Sequence, residues 1–143
     1  MRTISFIIIH CSAVRPWQQS SVSDIDRWHR ARGWKGCGYH YVIRRDGTVE
    51  TGRPLEVIGA HCQHRNRHSI GICYEGGLDT DGRPCDTRTE AQKATMRSLL
   101  EELHARFPKA LIMGHNVFNP TKACPCFDAA AEYRDLQGTF AKR

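Results

Sequence analysis

Three side chains in this sequence have the types and placement to hold a metal. His10 follows the apolar run Ile4 to Ile9, and His115 follows Ala110 to Met113 and Gly114. Cys124 lies nine positions beyond His115, after Asn119-Pro120. Two imidazoles and one thiolate can bind Zn²⁺ and leave a fourth coordination position open, the arrangement of a catalytic zinc site. Cys126 offers a rival thiol two positions further on. Spacing alone leaves a second reading open, in which each histidine is an ordinary surface or hydrogen-bonded residue at a strand end.

Such ligands need rigid supports, and the surrounding pattern supplies them. Ile4 to Ile9 and Ser69 to Tyr74 are short apolar runs rich in β-branched residues, as buried strands are. Ala110 to Met113 is a third strand. Asp46-Gly47 between His40–Arg45 and Thr48–Thr51 marks a tight hairpin. A helix is predicted from a cap at Ser21 or Ser23 to about Arg32, with Gly33 as its stop. A longer helix begins at Thr89, where Thr89 and Gln92 form a capping box. Its stripe of Met96, Leu99, Leu100, Leu103 and Phe107 runs at helical spacing until Pro108 ends it. Asp128 caps a last helix ending near Gly138. These elements describe an α/β fold with a central mixed β-sheet flanked by about three helices. The motif residues sit at strand ends and in the loops that follow, where α/β sheets place their sites.

The 143 residues fit a single domain spanning 1–143, with 40% hydrophobic and 25% charged residues. The longest N-terminal apolar run, Phe6 to Ile9, is far short of a membrane span or a signal-peptide core. The expected localisation is therefore cytoplasmic, with no membrane partner. The seven cysteines form no paired CxxC framework and are expected to be reduced. Net charge +6 fits an anionic partner such as nucleic acid or a bacterial wall. The positive charge is dispersed, though, and no recognition helix or aromatic–basic motif accompanies it. Nucleic acid is therefore not expected as a partner.

Four strings, IIIHCSA, GYHYVIRRDGTVETGR, GAHCQHRNRHSIGI and GHNVFNPTKACP, occur in this order. Together they resemble the type 2 N-acetylmuramoyl-L-alanine amidase family, which includes the T-odd phage lysozymes and the peptidoglycan-recognition proteins. The likeness runs from Ile7 to about Asp128. It implies zinc as cofactor, held by His10, His115 and Cys124, with Cys124 rather than Cys126 matching the Cys-Pro of the motif. It implies Tyr39 and Lys122 as catalytic residues, and His61 and Asn66 as residues of the substrate cleft. The His115–Cys124 stretch is one residue longer than in the phage enzymes, with Pro120 and Lys122 still in family order. The activity implied is zinc-dependent hydrolysis of the bond between muramic acid and L-alanine in peptidoglycan, by a monomeric phage- or prophage-type lysin that meets the wall after release. The alternatives are a non-catalytic peptidoglycan-binding module and a metal-free cysteine–histidine hydrolase. The other candidates have structural readings. His40 alternates with Tyr39 and points to the opposite face of its strand, and Cys11 points away from His10. His29 reads as an ordinary helix residue, and Trp28 and Trp34 as helix-packing residues. Trp17 is either a loop anchor or a sugar-stacking ring.

Overall fold

The computed structural model describes residues 1–138. Five strands form one sheet in the order β3-β2-β4-β1-β5. They are β1 (Phe6–Cys11), β2 (Tyr41–Ile43), β3 (Val49–Thr51), β4 (Ser69–Tyr74) and β5 (Leu111–Gly114). β1 lies parallel to both β4 and β5, β2 is parallel to β4, and only β3 runs antiparallel, to β2. The sheet is therefore mixed, as the sequence pattern predicts. The antiparallel pair is the Asp46-Gly47 hairpin. Gly47 has a φ of 89°, a left-handed conformation that a β-carbon would strain. The Asp46 carboxylate accepts the Thr48 amide at 2.9 Å and closes the turn.

Both faces of the central strands are covered, which is why β1 and β4 read as continuous apolar runs. Ile7, Ile9, Ile72 and Tyr74 pack with Met96, Leu100 and Leu103 of helix α2 (Glu90–Arg106). Val42 and Cys73 pack on the other face against Ile25 of helix α1 (Val22–Ala31). Burying each such side chain is worth about 1.5–3 kcal/mol. Side chains alternate along β1, so His10 leaves the α2 face, occupied by Ile7, Ile9 and Cys11, and points to the α1 face.

Both long helices begin where their capping chemistry places them. Ser21 and Asp24 form a reciprocal box on α1, and Thr89 and Gln92 do the same on α2. Each cap is worth about 1 kcal/mol. Two features differ from the sequence expectation. His115 opens a one-turn helix, α3 (His115–Phe118), rather than a loop. The last helix, capped by Asp128 as expected, is a single turn, α4 (Ala129–Glu132), followed by a 3₁₀ turn at Arg134–Leu136. No described helix is long and apolar enough to cross a membrane.

Candidate metal centre and cleft

β1 and β5 are hydrogen-bonded neighbours, with Ile9 opposite Gly114. That register brings His10 of β1 beside His115, the first residue after β5. Their ring centroids lie 4.5 Å apart. Cys124 arrives from the loop after α3. Among the described residues, one ligand atom from each of His10, His115 and Cys124 lies within 4.8 Å of the other two.

The donor set fits a metal chemically as well as in space. Burial, and then the neighbouring His61 and His115, hold the pKa of His10 well below 6.5, so its imidazole stays neutral and keeps a lone pair. The Cys124 sulfur accepts the Cys11 backbone N–H at 3.0 Å, which holds it in place beside the two rings. The ligand loop is tied down at two further points. The Asn116 amide donates to the Cys124 carbonyl at 2.8 Å, and the Tyr74 hydroxyl donates to the Pro125 carbonyl at 2.7 Å.

Cys126 is not part of this convergence. Its backbone turns left-handed, with φ 72°, and its thiol faces the Gly77 carbonyl at 3.4 Å. The Cys11 thiol and burial raise the Cys126 pKa, so it remains a thiol. Cys11 itself is buried, and its pKa is pushed up to about 12, chiefly by its contact with Cys124.

Tyr39 precedes β2, and its ring centroid lies 5.1 Å from that of His10. Burial, then the nearby thiols of Cys73 and Cys124, raise its phenol pKa well above 10, so it keeps its proton. The residue that seats the Tyr39 segment is His29, which the sequence pattern treats as unremarkable. His29 Nδ1 accepts the Gly38 amide at 2.9 Å, and its ring lies between Trp34 and Tyr39, with centroids 4.6 and 5.7 Å away. Burial, then Arg32 and Arg53, lower its pKa to about 4, consistent with an acceptor nitrogen. The only sequence signal for this role was its place on the apolar face of α1. Lys122 is exposed on the ligand loop and anchored through its backbone amide, which donates to Asn119 at 3.0 Å.

A cleft of about 530 Å³ opens beside the convergence, lined by Trp34, His61, Asn66, His115, Phe118 and Asn119 among others. His61 and Asn66 thus both reach it. Asn66 Oδ1 also accepts the backbone amides of His61 and Cys62, each at 2.9 Å, and fixes the loop that carries His61. His40 is structural, as its alternation suggests. Its Nδ1 accepts the Gly71 amide at 3.0 Å, and Nε2–H donates to the Val57 carbonyl at 2.8 Å. Trp34 packs on His29 of α1, as expected of a helix-packing ring, yet it and Trp28 remain 39% and 38% exposed. Trp34 stands on the cleft wall because it follows the end of α1 instead of lying on its buried face.

The chain matches the family model described as N-acetylmuramoyl-L-alanine amidase over residues 1–127. It is 44% identical over 124 residues to the endolysin of Klebsiella phage KP32, an alignment covering 87% of this chain and 82% of that one. It is likewise 44% identical over 122 residues to the endolysin of Escherichia phage T7, covering 85% and 80%. The solved N-acetylmuramoyl-L-alanine amidase LysC from Clostridium intestinale URNW superposes with a TM-score of 0.76 at 27% identity, covering 92% of this chain and 83% of that one.

Proposed function

The chain belongs to the N-acetylmuramoyl-L-alanine amidase family, and from that premise we propose that it is a zinc-dependent lysin of the phage or prophage type. Its reaction is hydrolysis of the peptidoglycan amide between N-acetylmuramic acid and L-alanine. The observation that carries the zinc reading is the convergence of His10, His115 and Cys124 beside an open cleft. In this reading the protein works as a monomer, is made in the cytoplasm and meets the wall after release.

His10, His115 and Cys124 would hold the zinc. Two imidazoles and a cysteine sulfur suit Zn²⁺ and leave room for a further ligand. Bound zinc supplies Lewis acidity toward the amide carbonyl and activates water. The remaining work falls to this chain's own groups. Attack on the amide builds negative charge on the carbonyl oxygen, and the Lys122 ammonium, on the loop beside Cys124, stabilises that charge. Tyr39 keeps its phenolic proton at neutral pH, so it orients the reacting groups or passes a proton toward the leaving alanine nitrogen. The cleft walls, His61 and Asn66 among them, position the lactyl–peptide segment.

The test compares peptidoglycan hydrolysis by the native protein, by chelator-stripped protein and by stripped protein given Zn²⁺ again. Loss on stripping and recovery with Zn²⁺ is the expected result. Full activity after stripping would overturn the metal reading and leave Cys124 as a thiolate nucleophile.

A further inference from the structure

His61 lines the cleft, but its closest side-chain partner is a proposed metal ligand. His10 Nε2 and His61 Nδ1 are 2.9 Å apart, and the rings meet edge to face, with centroids 4.9 Å apart. His61 is nonetheless outside the converging ligand set of His10, His115 and Cys124. It therefore contacts His10 without joining the other two ligands.

The proton on this contact has one arrangement that is compatible with His10 binding a metal. A neutral imidazole carries one N–H and one lone pair. If His61 donated to His10 Nε2, that lone pair would be used and His10 Nδ1 would bear the hydrogen, leaving nothing for a metal. If His10 Nε2–H donates to His61 Nδ1, the Nδ1 lone pair of His10 is free. Once its Nδ1 accepts, His61 must carry its own hydrogen on Nε2. That nitrogen has a partner waiting, the hydroxyl of fully buried Ser69 at 3.2 Å.

We propose that His61 is a positioning residue that fixes the tautomer and orientation of His10, through the relay His10 Nε2–H to His61 Nδ1 and His61 Nε2–H to Ser69 Oγ. The inference rests on the zinc reading above. It gives His61 a role in metal binding beyond its contact with the cleft. Metal-bound histidines usually pass their second N–H to a carboxylate, a carbonyl or water. Here a second imidazole takes that place, and it adds no negative charge to the centre.

The relay is built in from both sides. Asn66 Oδ1 grips the backbone amides of His61 and Cys62 and so sets where the ring starts. Gly71 of β4 lies directly beneath the ring. A β-carbon at position 71 would come within 2.6 Å of the imidazole of His61, closer than such contacts occur, so only glycine leaves room for this seat. The two strands that carry His10 and Gly71 are paired neighbours, which fixes the height of the ring relative to its partner.

The experiment measures Zn²⁺ affinity by competition with a chromophoric chelator for wild type, His61→Ala and His61→Asn. It also reads the histidine tautomers of ¹⁵N-labelled, zinc-loaded wild type by long-range ¹H–¹⁵N correlation. Loss of such a supporting partner weakens metal binding by about 10–100-fold, the drop expected for His61→Ala. His61→Asn places an amide oxygen close to the Nδ1 position and should recover most of it. The wild-type spectrum should show His10 protonated at Nε2 and His61 protonated at Nε2. Undiminished Zn²⁺ affinity in His61→Ala, with only KM raised, would overturn the proposal and leave His61 as a substrate contact. A His10 ring protonated at Nδ1 would overturn it without any variant having to fold. Wild type that takes up no Zn²⁺ would overturn the zinc reading itself, and the relay with it.

Discussion

The two sides of the centre are held in different ways. His10 lies inside a central strand with a neighbour on each side, and His115 follows directly from the next strand. Cys124 is on a loop, but three hydrogen bonds fasten its sulfur, its carbonyl and the carbonyl of Pro125 to β1, α3 and β4. Lys122, two residues away on the same loop, is exposed and anchored through its backbone. The groups that could hold a metal are thus set by the fold before substrate arrives. The cation proposed to serve the reaction, Lys122, is placed by a solvent-facing turn. Metal binding and catalysis should therefore respond separately to mutation.

The largest effect is expected at the ligands. Cys124→Ala should lose both bound zinc and hydrolysis, with kcat down at least about 10³-fold. Cys126→Ala should keep both, because that thiol points to Gly77 and Cys11. Metal content of the two purified variants beside their activities checks this, and retention of zinc by Cys124→Ala alone would place the ligand at Cys126. Next come Lys122→Ala and Tyr39→Phe. Each should lower kcat about 10²–10³-fold while metal content and thermal midpoint stay at the wild-type value. Metal loss in Lys122→Ala would erase the contrast between the two halves of the loop.

A smaller effect is expected away from the cleft. The guanidinium of Arg88 is buried, 2.8 Å from Glu132 and 2.9 Å from Asp86, and 3.5 Å from the centre of the Phe127 ring. It clamps α4 and the end of the ligand loop to the start of α2. Both carboxylates reach solvent, so Arg88→Ala should cost about 1.5–3 kcal/mol in urea unfolding, the worth of hydrogen bonds to a charged group. The pH dependence of stability should add over two buried histidines. Burial, then nearby arginines, lower the pKa of His29 to about 4, and burial followed by Arg2 and Arg53 does the same for His40, against the opposing bond to Val57. The unfolded chain takes up these protons near pH 6.5 and the folded chain only near 4. Over that window the unfolded state binds more protons, so stability falls as pH drops. Denaturant midpoints measured from pH 7 to pH 4 should show the decline, and a flat profile would contradict the buried, neutral state of both rings.

What was legible in the sequence follows the range of the interactions involved. The strand Ser69–Tyr74, the caps at Ser21 and Thr89 and the Asp46-Gly47 turn depend on neighbours within a few residues, and each lies where local chemistry puts it. The ordered motifs separated Cys124 from Cys126, a choice that spacing left open. The structure supplies the reason, since left-handed backbone at Cys126 swings its sulfur away. His29 went unrecognised because its partner, the Gly38 amide, is outside α1 and reaches the ring only when the chain turns back on the helix. The place of Trp34 on the cleft wall went unrecognised for the same kind of reason, since it depends on how the segment leaves α1. The shortness of α4 was hidden too. Asp128 signals where a helix starts, but Tyr133 and Leu136 turn into the core and end it after one turn.

The central claim is the bond that is cut, and the products of digestion test it most directly. Purified peptidoglycan treated with zinc-loaded protein should release peptides with newly free alanine amino termini, while the glycan strands keep their length and no new reducing sugar forms. Release of reducing ends without free alanine would contradict an amidase and assign the cleavage to the sugar backbone.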